Sequence, residues 1–354
     1  GASMLKNMGF TDRFARLVML CGHEGRSANN PHAAGLDCGA CGGHGGAPNA
    51  RVAAAVLNDA GVRAVLVRSG WNVPADTHFV PAVHDTSNDT VRILDRERVP
   101  ETHRAELEAL EGRLAEAGTL TRQERAKGLG IEGRPQGTLR KLLDRRARDW
   151  SEVRPEWALA GNAAFIAARR SRTRGANLAG RTFLHEYDAE ADGDGSVLEL
   201  ILSAPVVVAS WINLQYLAST VDNRRFGAGD KALHNRVGDL GVVIGNGGDL
   251  RTGLALQSVH APNGEWYHEP LRLQVFVETS PALLDEALEK LPGVRELVDN
   301  GWVRLFAISP PGNEVRKRMP GAGWTTIDGT ISEVIEEGPS DDVRQADGPH
   351  GAAD

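Results

Sequence analysis

FARLVMLCGHEGRSANNPHAAGLDCGACGGHGGAPNARVAAAVLN, residues Phe14 to Asn58, is the stretch on which the fold turns. Phe14–Cys21 is a short apolar run that stops at Gly22, the pattern of a buried strand entering a loop. Ala50–Asn58 has helical spacing and follows Pro48, a residue favoured in the first turn of a helix. Arg63–Arg68 (RAVLVR) resembles a second strand, with a helix also compatible. Strand, Gly-rich loop, helix and strand in that order predict an α/β layer. The loop then lies at the carboxyl end of the strand, the edge that ligands prefer in open α/β sheets.

The loop carries the chemistry. Cys21–Asn49 holds all three cysteines of the chain, three of its eleven histidines and eight glycines. Thiolate and neutral imidazole are the preferred ligands of zinc, and glycine lets backbone fold tightly around an ion. His23 sits two residues past the predicted strand. Cys38 and Cys41 form a C-x-x-C pair with Asp37 beside it, and His32 and His44 are further candidate ligands. Three readings of the pair stand at this level: zinc ligation, a redox dithiol, or buried structural thiols.

Working outward, Glu101–Arg125 is rich in Glu, Leu, Ala and Arg at helical period and reads as a long solvated helix. Residues 128–149, opening with a Gly-rich run, read as a connection between residues 4–127 and a second α/β region over 150–310. In that region Leu271–Glu278 and Trp302–Ile308 read as strands, and Pro281–Lys290 as a helix between them. Val197–Leu217 nears membrane-spanning length, yet Glu199, Pro205, Asn213 and Gln215 interrupt it, so a buried strand followed by a buried helix is expected. Residues 336–354 are rich in Gly, Asp and Pro and predict disorder. Gly1-Ala2-Ser3 ahead of Met4 reads as a scar of tag removal (residues 1–3).

The bulk composition excludes some classes. With 354 residues, 41% hydrophobic and 25% charged, the chain can bury a sizeable core. A net charge of −7 argues against a general nucleic-acid binder. Three cysteines crowded into one loop make a poor disulfide framework and read better as reduced thiols. Two motifs are set aside. Gly128-Leu129-Gly130-Ile131-Glu132-Gly133 spells a dinucleotide fingerprint but follows a charged helix rather than a strand. Asp188–Glu199 imitates a calcium loop, but Gly195 replaces its apolar anchor, so an acidic surface turn is expected.

Gly22-His23, Asn29-Asn30-Pro31, Asp37-Cys38-Gly39-Ala40-Cys41-Gly42-Gly43 and Pro48-Asn49-Ala50-Arg51 together resemble the DabA family. So do Gly161-Asn162-Ala163-Ala164-Phe165, Trp211-Ile212-Asn213-Leu214-Gln215-Tyr216, Gly245-Asn246-Gly247-Gly248-Asp249-Leu250-Arg251 and Val298-Asp299-Asn300-Gly301-Trp302, within a likeness over about residues 10–310. The resemblance implies the zinc-binding peripheral subunit of an inorganic carbon transporter, with a zinc site similar to that of β-carbonic anhydrases. In the family the ligands are a Cys and an Asp of an upstream C-x-D-x-R motif, a His and a second Cys. The last two map onto His23 and Cys38, which leaves Cys41 a neighbour. Glu24 stands where the family more often has Gly.

No C-x-D-x-R motif occurs in this chain. The resemblance therefore implies a C-terminal half: residues 4–127 as part of a carbonic-anhydrase-like zinc layer, then the second α/β region. It also implies Zn2+ as cofactor and CO2 and bicarbonate as substrate and product. The implied partners are a membrane-embedded cation-transporting subunit and the upstream half that carries the other ligands. The expected location is the cytoplasmic face of the cell inner membrane, with no hydratase activity from this chain alone. The alternative is a non-catalytic scaffold of the same family.

Overall fold

The computed structural model describes residues 1–10, 14–27, 37–38, 41–149, 159–238, 241–261, 263–309, 314–321 and 323–327. His32 and the 336–354 tail lie outside the described residues. The chain is α/β. A three-stranded sheet, order β1-β2-β3, combines β1 (Leu17–Glu24), β2 (His78–Asp85) and β3 (Thr90–Ile93). β1 and β2 are parallel and β3 antiparallel to β2. After a short N-terminal helix α1 (Ala2–Asn7), the helices of this region are α2 (Ala47–Asn58), α3 (Ala60–Arg68), α4 (Arg104–Gly128) and α5 (Gln136–Arg146). Val18 and Leu20 of β1 pack against Ala54 and Leu57 of α2 and Leu66 of α3. Leu17 and Met19, pointing the other way, meet Val80, Val99 and Leu107. The sheet is therefore covered on both faces, which explains the near-continuous apolar run that marks β1.

Two expectations needed correction here. β1 runs on to Glu24, so His23 lies inside the strand rather than past it. Arg63–Arg68 is not a strand: it is the body of α3, whose start is set by Asp59, with its carboxylate accepting from Val62 N at 2.8 Å. That N-cap satisfies a donor the helix cannot use internally. Asp59→Ala is expected to cost about 1 kcal/mol in a urea titration, and an unchanged midpoint would show that the cap contributes nothing.

The second region is built on a six-stranded sheet, order β12-β11-β10-β9-β4-β5. Its strands are β4 (Ala164–Ala168), β5 (Thr182–Glu186), β9 (Leu273–Val277), β10 (Val303–Ile308), β11 (Val315–Arg318) and β12 (Trp324–Thr326). β4, β5, β9 and β10 are mutually parallel, and β11 and β12 are antiparallel additions at one edge. The expected strands and the Pro281–Lys290 helix (α8) are present, and α9 (Pro292–Asp299) follows. On one face Val275 and Leu305 pack on Leu198, Leu284 and Val298; on the other Phe276 and Phe306 stack at 4.5 Å between centroids. A small antiparallel sheet, β6 (His234–Val237), β7 (Gly241–Ile244) and β8 (Gly247–Arg251), lies between β5 and β9 in sequence.

Val197–Leu217 holds no strand. It forms α6 (Ser196–Ser203) and α7 (Pro205–Val221), with Leu198, Ile201 and Leu202 buried at helical spacing and Pro205 opening the second helix. By length and composition alone Ser196–Val221 is apolar enough to cross a membrane, although 39% of its most apolar window is buried inside the protein. The fingerprint-like Gly128–Gly133 follows α4 as the sequence predicted, and its Leu129 and Ile131 pack on Leu143. In the calcium-loop imitation Asp188 pairs with Arg169 at 2.7 Å. Asp192 accepts from Val197 N and Leu198 N at 3.0 and 2.9 Å, so these acids serve the local turn and the start of α6.

Candidate metal centre

Parallel pairing sets the site. His23 on β1 stands opposite His84 on β2, and Glu24 stands opposite Asp85. Strand alternation puts Cys21 and His23 on one face and Gly22 on the other, towards α2. A Cβ at Gly22 would lie 2.6 Å from the Gly46 carbonyl oxygen and 2.9 Å from Gly46 Cα, so only glycine permits this approach. The approach lets Gly46 N donate to His23 O at 2.8 Å, which pins the end of the loop to the strand that carries the histidine.

Cys38 is held by backbone bonds within its own turn. Its N donates to His44 O at 3.3 Å, and its carbonyl accepts from Cys41 N at 3.0 Å and Gly43 N at 3.1 Å. Asp37 beside it accepts from Gly25 N at 2.9 Å through Oδ1, just beyond the end of β1. Cys41 is engaged differently, its sulfur accepting from Asn49 Nδ2 at 3.0 Å. The strand end and the C-x-x-C turn are thus tied together through Asp37, His44 and Gly46. No disulfide joins any of the three cysteines among the described residues.

Burial lowers the His23 pKa; the nearby Asp37 carboxylate opposes that shift and His84 reinforces it. The imidazole is therefore neutral near pH 7, the state that can donate a lone pair to a metal. Burial raises the Cys21 thiol, partly offset by a hydrogen bond from the His84 backbone. Glu24 is held by Arg26 at 2.9 Å and faces Arg92 at 3.6 Å.

His84 and Asp89 had no signal in the sequence reading. His84 Nε2 lies 3.2 Å from Asp89 Oδ1, and Arg125 binds the other oxygen of Asp89. Burial alone would raise the Asp89 carboxyl, but His84 and Arg125 together hold it below its usual value. Asp89 sits at φ 56°, in the left-handed region that Asp tolerates better than most residues. His84 and Asp89 are 61 and 66 positions from His23, and only the pairing of β1 with β2 sets His84 opposite it.

The donor set suits zinc in kind but not in number. A zinc site takes three or four protein ligands. Among the described residues, no group of three or more His, Cys, Asp or Glu converges on one point. His23 and Cys38 offer a neutral imidazole and a thiol, and a complete site requires ligands from beyond the described residues.

Comparison with known proteins places these observations. The family described as "Probable inorganic carbon transporter subunit DabA" matches residues 1–303. The chain is 54% identical over 326 residues to "Probable inorganic carbon transporter subunit DabA 1" of Bradyrhizobium sp. (strain ORS 278), covering 92% of this chain and 38% of that protein. It is 52% identical to the corresponding subunit of Acidithiobacillus ferrooxidans over 318 residues, 90% of this chain and 38% of the relative. The subunit of Chloroflexus aggregans gives 52% over 326 residues, again covering 92% and 38%. The chain thus spans well under half the length of these relatives. No solved structure matches it. With relatives more than half identical along nine-tenths of its length, the chain belongs to the DabA family of probable inorganic carbon transporter subunits.

Proposed function

We propose that this chain supplies part of the zinc site of an inorganic carbon uptake complex, with His23 and Cys38 as two of the ligands. The remaining ligands come from the part of the family polypeptide that this chain does not span. Bound zinc would lower the pKa of a water molecule to about 7 and supply hydroxide for attack on CO2, giving bicarbonate. The chain's own residues prepare for it: burial keeps the His23 imidazole neutral, Asp37 lies beside it, and the Gly22–Gly46 approach fixes the loop that brings Cys38. The complex would include a membrane-embedded, cation-transporting subunit, with this protein peripheral on the cytoplasmic face. The relatives' names, which make each of them a transporter subunit, support such an assembly.

The observation that carries the reading is the joining of His23, Asp37 and the Cys38 turn at the carboxyl end of a parallel strand pair. Metal analysis tests it. The chain alone is expected to bind zinc weakly and to show no CO2 hydration. Mixed with the rest of the family polypeptide, it should hold close to one zinc per chain. His23→Ala and Cys38→Ser should each weaken zinc affinity by at least about a hundredfold, beyond the effect of losing a group that only supports a ligand. Equal metal content in both variants would remove these residues from the site. Tight stoichiometric zinc on the chain alone would overturn the shared site.

A further inference from the structure

Arg122 of α4 is 8% exposed, and no carboxylate among the described residues pairs with it. Its Nη1 donates to Asn88 O at 3.1 Å and Asp89 O at 3.3 Å, and its Nη2 to Thr119 Oγ1 at 3.2 Å. Nε is enclosed and has no hydrogen-bond partner. Each nearby acid is already engaged. Asp89 serves Arg125 and His84, Glu111 is held by both Nε and Nη2 of Arg96, and Asp144 accepts from Asn88 Nδ2. A buried guanidinium held by two carbonyls and a hydroxyl is costly, because Asp89 and Asp144 attract it without pairing with it.

A second unpaired arginine lies beside it. Arg140 of α5 is exposed and has no ion pair among the described residues. Burial depresses the Arg122 pKa, and the like charge of Arg140 adds to that depression against the pull of Asp89 and Asp144. Arg122 and Arg140 both line a cavity of about 570 Å3 between β3, α4 and α5, together with Arg92 and the two acids already engaged, Asp89 and Glu111. The cavity wall is built for this arrangement. A Cβ at Gly118 would fall 2.3 Å from Asp89 O and 3.1 Å from Arg122 Nη1, so glycine alone lets α4 lie on the turn that Arg122 grips.

We propose that this cavity binds a small oxyanion, with Arg122 and Arg140 as its paired cations. Guanidinium forks match the oxygens of carbonate- and phosphate-type anions, and a partly enclosed pair of them attracts such an anion more strongly than a solvated surface does. Bicarbonate and inorganic phosphate share this chemistry, and the experiment separates them. The site stands apart from His23 and Cys38 and does not depend on zinc.

The test follows the arginine side-chain N–H signals of the whole chain by NMR during titration with sodium bicarbonate, sodium phosphate or sodium chloride at matched pH and ionic strength. A saturable shift of the Arg122 and Arg140 signals with bicarbonate or phosphate, and not with chloride, is expected; which oxyanion saturates first identifies the source. Arg140→Gln changes an exposed side chain with no ion pair to lose among the described residues, and should weaken that binding about tenfold or more. Arg148→Gln removes the same charge outside the cavity and should leave the affinity within about twofold. Absence of an oxyanion-specific shift, equal affinity in Arg140→Gln, or an equal loss in Arg148→Gln would each overturn the site.

Discussion

Gly22→Ala is expected to lower folding stability by about 3 kcal/mol, the upper part of the range for overpacking. The added methyl group would meet Gly46 O at 2.6 Å, Gly46 C at 2.7 Å and Gly46 Cα at 2.9 Å. All three are backbone atoms, so no side-chain rotamer can relieve the contact. Either β1 or the start of α2 must move, and with it the hydrogen bond from Gly46 N to His23 O. The variant should therefore lose the alignment of His23 with the Cys38 turn as well as stability. Urea denaturation followed by circular dichroism measures the first effect. Gly112→Ala is the control: it lies within α4 with nothing inside 4 Å of the added carbon, and should be neutral or slightly stabilising. A Gly22→Ala midpoint equal to that of the parent would show that the close approach does not exist in solution.

Acid should weaken the second region through His268. This residue is completely buried, and burial, with Arg181 adding to it, pushes its pKa down to about 4. Gly161 N donates to Nδ1 at 3.0 Å, so that nitrogen must be unprotonated, and the ring lies 5.1 Å from Tyr216. The folded pKa lies below that of the unfolded chain, near 6.5. The unfolded chain therefore binds the extra proton over that interval. Its contribution is whole above about pH 6.5 and shrinks as pH falls towards 4, by up to ~3 kcal/mol. Urea midpoints at neutral pH and at several steps down to pH 4 should decline accordingly, and His268→Gln, though less stable at neutral pH, should decline less steeply. A parent profile that is flat or rises on acidification would sink the assignment.

Much of the frame was legible because burial writes itself into sequence. β1, β9 and β10 are covered on both faces and read as continuous apolar runs, and α8 announces itself with Ser280 as N-cap and Pro281 at its first turn. β2 was not legible. It is the central strand of its sheet, yet it carries Pro81, which cannot donate to the ladder and argues against a central strand. Missing β2 meant missing His84, since only the register of β1 against β2 sets it opposite His23. α3 was misread because its apolar residues crowd into a β-branched run, and the decisive signal, the Asp59 cap, lies outside that run. Within the site, His23, Asp37 and Cys38 were visible as residue types at short spacing. Asp89, Arg122 and Arg125 were invisible, because they meet through a turn and a helix more than thirty residues apart.

Among the described residues the strand order β1-β2-β3 leaves β1 at the rim of its sheet, with its outer row of peptide groups facing away from β2. Such a rim accepts another strand at about 4.8 Å. Along any strand laid there, residues two apart would point to one face, and half of them would share the face of Cys21 and His23. The row is already used at one point: Gly46 N donates to His23 O, so a strand laid there would pair along Leu17–Cys21 and stop short of the histidine, with the start of α2 as its end-stop.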